Sequence, residues 1–318
     1  MDNEKLKKEQ NETIKNHYLN IFISTPIYIG LFYSIFFFSM KIFLIFTILS
    51  VLISYYLISK SKNKKRKEEI YTGLILIFIF SYSLLNLYKG NDFLYQIHIY
   101  YISVVIYHYT EYLSVLFYHF DNCSWHSFLI DQSKQWIYTT GFSFLEYYIE
   151  NFFFHKFKSF IIFTIIGLIC LIIGQYFRIA ALFTGKISFT HLISYKKKKE
   201  HILITHGIYS ISRHPSYFGF FLWSVSTQIL CMNPICIITY IIVLFKFFKN
   251  RILVEEPYLI TFFGQDYIDY KRKVPILIPF IEMSEEEEKI YLNKYNLIKE
   301  REKLNNNDNK DYEDDDYD

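Results

Sequence analysis

Apolar residues in this chain come in long runs divided by short polar breaks. Eight runs, at about 18–38, 41–59, 70–88, 94–118, 138–154, 159–183, 217–233 and 235–249, are read as membrane-spanning helices. Only Ser39-Met40-Lys41 separates the first two, which predicts a tight hairpin. Met1 to His17 is charged and has no cleavage signature, so the first run reads as an uncleaved anchor. Glu146 and Glu150 lie one helical turn apart in the run 138–154. A full crossing and a re-entrant or amphipathic segment are both open there. The expected fold is all-α: a polytopic integral membrane protein of about eight transmembrane helices, with a pocket at its cytoplasmic face.

Composition agrees with that reading. Apolar residues make up 52% of the chain, and mean hydropathy is positive at +0.14. With 33 Phe and 30 Tyr in 318 residues, no single aromatic is informative alone. The net charge of +3 also says little, because the two signs are segregated along the chain. Segregation does give an orientation, since Lys and Arg concentrate in cytoplasmic loops. The basic loop Lys60 to Lys67 and the segment Thr184 to Arg213, with Lys196 to Lys199, fall on the same side. Both termini are then cytoplasmic, and His155-Lys156-Phe157-Lys158 is lumenal. The lysine run reads as a solvated loop near anionic headgroups. Three regions are expected: N-terminal helices over 1–94, a core over 95–283, and a polar acidic tail over 284–318, partly disordered. Cys123, Cys170, Cys231 and Cys236 are scattered and match neither a disulfide framework nor a zinc site. The chain ends Tyr317-Asp318, with no prenylation box of its own.

Against this apolar background, residues 201–279 form a dense polar block. It contains His201-Ile202-Leu203-Ile204, Gly207-Ile208-Tyr209, Arg213-His214-Pro215-Ser216-Tyr217, Arg251, Glu255-Glu256 and Phe263-Gly264-Gln265-Asp266-Tyr267. Polar groups held at a membrane face mark a site more often than not. Pro215 suits the first turn of a helix, with His214 or Arg213 at its cap. Free N–H groups at such a start can bind a carboxylate. If the helix after 249 continues, Arg251 and Glu255, four residues apart, share a face. Glu256 reads as a neighbour of Glu255, and Pro257 leaves the local helix geometry open.

The block resembles the isoprenylcysteine carboxyl methyltransferases. Upstream, Tyr107-His108-Tyr109-Thr110-Glu111-Tyr112 and Arg178-Ile179-Ala180-Ala181-Leu182-Phe183-Thr184-Gly185 match the same family in order, so the likeness covers roughly residues 95–282. It implies methyl transfer from S-adenosylmethionine to the C-terminal carboxylate of a prenylated cysteine, in CaaX-processed proteins such as small GTPases. It implies an endoplasmic reticulum membrane enzyme with lipid around it and no nucleic-acid partner. Arg251 stands where the family binds the substrate carboxylate. His201, Ile202, Leu203, Ile204, Tyr209, His214, Pro215, Ser216, Tyr217 and Glu255 stand where it binds the cofactor. Arg251 and Glu255 are thus the expected catalytic pair. Ser194 stands where relatives have a longer amide side chain, so a contact there would come from backbone.

The chemistry suits those residue types. A C-terminal carboxylate, with a pKa of about 3.5, is already ionised near neutral pH and needs no general base. It does need desolvation and orientation, and the planar fork of an arginine matches its two oxygens. Several residues have more than one reading. Arg178 is a cofactor or lipid-phosphate contact, or an arginine snorkelling to the interface. His108, Glu111 and Glu146 are functional, or they are inter-helix hydrogen bonds. Alternative functions are a phospholipid N-methyltransferase, an NADPH-dependent sterol reductase and, in another class, a transporter or channel.

Overall fold

The computed structural model describes residues 64–300 other than 91–93, 131–133, 159, 198–200, 279, 282–283, 287–288, 294–295 and 298–299. The predicted runs 18–38 and 41–59, their hairpin and the last part of the acidic tail lie outside the described residues. Seven α-helices are seen among the described residues: α1 (Lys64–Lys89), α2 (Tyr95–Tyr118), α3 (Lys134–Lys158), α4 (Ile161–Gly185), α5 (Pro215–Leu230), α6 (Pro234–Phe263) and α7 (Gln265–Lys273). The first six coincide with predicted runs. By length and hydropathy, Lys67–Lys89 and Ile161–Ser188 qualify as spans among the described residues. Eight crossings therefore do not follow from apolarity. Other helices carry buried polar groups that lower their hydropathy, such as Gln96, His98 and Glu111 on α2 and Ser224, Thr227 and Gln228 on α5.

The chain divides into two compact units, Met1–Leu113 with Asp121–Ser133, and Ser114–Phe120 with Lys134–Asp318. In the first, the His108 Nδ1–H donates to Phe128 O at 2.6 Å, and Tyr109 OH donates to Gly73 O at 2.8 Å. Tyr112 stacks on Phe128 with ring centroids 4.2 Å apart. His108 is therefore a packing residue that pins the 3-10 turn Trp125–Phe128.

The second unit is built on backbone contact between α4 and α5. A Cβ on Gly174 would lie 2.5 Å from Trp223 N, and one on Gly219 would lie 2.5 Å from Arg178 N and 2.8 Å from Gly174 O. Small residues let two helices approach this closely, as in membrane bundles. The buried face of α4 carries Leu171, Gln175, Arg178, Ala181 and Leu182. Its other face exposes Ile165, Ile166, Ile169, Ile172 and Ile173, a surface suited to hydrocarbon.

Helix α3 clamps the α5–α6 turn from both sides. Glu146 accepts the N–H groups of Ile235 at 2.7 Å and Cys236 at 2.9 Å, two of the donors that a helix start leaves unpaired. Lys158 donates to Cys231 O at 2.9 Å, Met232 O at 3.1 Å and Asn233 Oδ1 at 2.9 Å, and pairs with Glu150 at 2.8 Å. Glu146 thus fixes packing. Lys158, expected in a lumenal loop, is only 4% exposed because those carbonyls need its charge. All four cysteines are free.

Helix α6 continues well past position 249. It runs 30 residues, passing through Pro257, and so extends about 45 Å at ~1.5 Å per residue. It ends at Gly264, whose φ of +60° favours glycine, and α7 then folds back on it through Ile260, Tyr267, Ile268 and Tyr270.

Candidate active site

Three segments of the second unit meet at the site: the start of α5, the far end of α6 with α7, and the connection 186–214. Pro215 occupies the first turn of α5 with His214 as its N-cap, as the sequence predicts. The N–H groups of Tyr217 and Phe218 both donate to His214 O at 3.1 Å. An anion at this helix start therefore finds fewer free donors than the sequence suggested.

A cavity of ≈ 140 Å³ opens between these segments. Ser194, His201, Ile202, Leu203, Ile204 and Tyr209 line it from the connection. His214, Pro215, Ser216 and Tyr217 line it from α5, and Glu255 from α6. Every residue expected around the cofactor thus borders one space. Aromatic residues that sequence reasoning did not single out complete the wall, among them Phe189, Tyr258, Phe262 and Tyr270. In a chain with so many aromatics, nothing distinguished these from core residues.

Arg251 stands beside this cavity. Its Nε donates to Tyr217 OH at 2.8 Å, its Nη2 donates to His191 O, and its guanidinium lies 5.3 Å from the centre of the Tyr217 ring. Tyr217 OH in turn donates to Glu255 Oε2. Arg251 and Glu255, one turn apart on α6, are thus joined through a single phenol. Ser194 Oγ lies 3.4 Å from Thr190 Oγ1 within the connection. Tyr209 OH donates to Ala181 O at 3.3 Å, and burial, followed by the Glu255 charge, pushes that phenol's pKa up.

Two charged groups take roles the sequence reading did not give them. Arg178, 7% exposed, donates to Ser216 Oγ at 2.5 Å and lies over Phe189 and Phe220. It is a buried support for the first turn of α5 and not a snorkelling side chain. Glu256, 1% exposed, accepts from Arg213 Nε at 3.0 Å, His214 Nε2 at 3.1 Å and Tyr267 OH at 3.1 Å, with Lys271 Nζ at 3.7 Å. Burial alone would raise its pKa. The hydrogen bond and charge of His214, then Arg213 and Lys271, outweigh burial and hold it down at about 2. Burial likewise pushes Tyr267 up, which keeps its O–H available to donate. The Arg213-His214 pair implies a buried counter-charge, but the sequence does not say whether Glu255 or Glu256 supplies it. Lys197 departs from a purely solvated run: it donates to Phe262 O at 2.7 Å and sits 4.8 Å from the Phe263 ring centre, capping α6. Lys198 and Lys199 lie outside the described residues.

The model of the isoprenylcysteine carboxyl methyltransferase (ICMT) family matches residues 166–261, which contain α5, Arg251 and Glu255. A protein-S-isoprenylcysteine O-methyltransferase of Dictyostelium discoideum is 45% identical over 183 residues, 58% of this chain and 77% of that protein. The Saccharomyces cerevisiae enzyme of the same name is 41% identical over 186 residues, 57% of this chain and 78% of that one. The solved structure of a eukaryotic intramembrane Ras methyltransferase of this type superposes with a TM-score of 0.72 at 31% identity, covering 81% of this chain and 93% of the other. With more than three quarters of each of these two relatives, the Dictyostelium and Saccharomyces enzymes, matched at over 40% identity, this chain belongs to the isoprenylcysteine carboxyl methyltransferase family.

Proposed function

We propose that this chain methylates the C-terminal carboxylate of a prenylated cysteine, taking the methyl group from S-adenosylmethionine and forming a methyl ester. The acceptors are CaaX-processed proteins such as small GTPases. The setting is the endoplasmic reticulum membrane, crossed several times, with both termini and the cavity on the cytoplasmic side. The observation that carries the proposal is the Arg251–Tyr217–Glu255 relay beside an aromatic cavity.

The cavity suits a sulfonium nucleoside. Glu255 brings a carboxylate to a wall of Tyr209, Tyr217 and Phe262, and aromatic faces with a carboxylate favour a cation. The apolar stretch Ile202 to Ile204 offers backbone groups and packing to a flat base. S-adenosylmethionine, when bound, supplies a methyl carbon activated by positively charged sulfur. Arg251 orients the acceptor carboxylate, whose oxygen forms the new bond to that carbon as the carbon–sulfur bond breaks. Tyr217 holds the guanidinium through its Nε and the His191 carbonyl holds it through Nη2, which leaves Nη1 to meet the substrate. No proton has to move, since the carboxylate enters ionised. The prenyl chain partitions into lipid and reaches the site between helices. Neither an amine acceptor nor a hydride transfer draws support from relatives named as protein-S-isoprenylcysteine O-methyltransferases.

The test is ester formation by purified protein from radiolabelled S-adenosylmethionine and N-acetyl-S-farnesylcysteine. Wild type should give base-labile methyl ester. Arg251→Lys keeps a charge but loses the fork and should lower kcat/KM for the acceptor roughly 10- to 100-fold. Glu255→Ala should raise the KM for the donor. Donor binding by well-folded wild type without any ester would reject the carboxylate as acceptor.

A further inference from the structure

Glu256 does not line the cavity, yet it touches three residues that do: Arg213, His214 and Tyr267. These come from two elements, the start of α5 and α7. Arg213 extends the tie. Its Nη1 donates to Lys271 O at 3.1 Å and Val274 O at 2.6 Å, carbonyls at the end of α7, and its own N–H donates to Pro275 O at 3.1 Å. The His214 ring lies parallel to the Tyr217 ring, with centroids 5.4 Å apart and planes 3° apart. Tyr217 carries the phenol shared by Arg251 and Glu255. One buried carboxylate therefore stands behind both sides of the cavity and behind the relay.

We propose that Glu256 is a positioning residue for the methyl donor: its carboxylate fixes the His214 ring and draws α7 against the start of α5, and so sets the shape of the cavity. This rests on the methyltransferase reading of the cavity. A buried ion network is a poor way to gain stability, because desolvating its members offsets most of their attraction, and apolar packing of the same volume does as well. Its value here is directional. Three donors converge on one oxygen, Oε1, from 3.0 to 3.1 Å, and that convergence fixes the Arg213 guanidinium and the His214 and Tyr267 rings.

Glu256→Gln is the test, because it keeps the shape and a carbonyl acceptor and removes the charge. Donor affinity is read by calorimetry with S-adenosylmethionine, and donor and acceptor KM are read separately. The donor Kd and KM should rise about tenfold, the scale of one hydrogen bond to a charged group, while the acceptor KM stays within about twofold. Glu256→Asp, which keeps the charge on a shorter stem, should recover part of the donor affinity, and it serves as the primary variant if Glu256→Gln does not fold. A folded variant with unchanged donor Kd, or with donor and acceptor KM rising together, overturns the proposal. So does a fall in melting temperature with donor binding intact, which would mark the network as structural only. Calorimetry separates this from the function itself: wild type that binds donor but forms no ester leaves the Glu256 comparison readable, whereas wild type that binds no donor removes both readings.

Discussion

At the scale of single residues, the site joins groups that spacing exposes with groups that only the fold reveals. Arg251 and Glu255 were legible through the family resemblance, and their four-residue spacing placed them on one helix face. Ten further cavity residues were legible through their match to the family. Glu256 was not, since one carboxylate beside another carries no label of burial in the sequence. Its environment gives a pH prediction. The folded-state pKa, about 2, lies below its ordinary value of 4.5. Glu256 sits beyond the apolar run 235–249, so water sets its unfolded reference. A depressed acid stabilises the fold above its unfolded pKa and loses that contribution as pH falls toward its folded pKa. The groups that face it are Arg213, His214, Lys271 and Tyr267. Wild type should therefore lose stability between pH 4.5 and pH 2, by about 3 kcal/mol in full. Glu256→Gln should be less stable at pH 6 and show a flatter decline in melting temperature. Parallel curves for the two proteins would contradict the assigned pKa.

At the scale of elements, periodicity and apolar runs located six helices, because burial and lipid exposure both leave a mark on hydropathy. What periodicity could not give was the closeness of α4 and α5. Gly167, Gly174 and Gly219 look alike in sequence to Gly141, yet a Cβ at Gly141 meets nothing within 4 Å, whereas one at Gly219 meets backbone at 2.5 Å. Backbone cannot step aside as a side chain can, so Gly219→Ala forces the helices apart. That displacement acts on Arg178, whose N–H neighbourhood the new methyl invades and whose guanidinium holds Ser216. Gly219→Ala should cost about 1–3 kcal/mol by thermal unfolding in detergent and should weaken donor binding as well. Gly141→Ala, in an open stretch of α3, should be neutral or slightly stabilising. Equal effects from the two substitutions would mean that α4 and α5 are not in backbone contact. The clamp of α3 on the α5–α6 turn was half-legible: Glu146 and Glu150 signalled partners, but the helix start that Glu146 serves and the carbonyls that Lys158, paired with Glu150, serves become visible only when α3 is folded against them.

At the scale of the whole chain, the open question of orientation turns on α4. Its 25 residues extend about 37 Å, enough for a hydrocarbon layer of roughly 30 Å. Its N-terminus follows the turn near Lys158, and its C-terminus leads into the connection that carries Lys196 and Lys197. The lysine bias predicts that this connection is cytoplasmic and the α3–α4 turn lumenal. Two exposed side chains make the arrangement measurable: Tyr195 in the connection and Phe160 at the start of α4. In a protein whose four native cysteines are replaced by serine, single cysteines at these positions can be challenged with a membrane-impermeant maleimide in sealed vesicles, cytoplasmic side out. Tyr195→Cys should label at once, and Phe160→Cys only after the membrane is opened. Immediate labelling of both would mean that α4 does not cross. Inverted labelling would place the cavity in the lumen, and the acceptor would then have to be delivered across the membrane to be methylated.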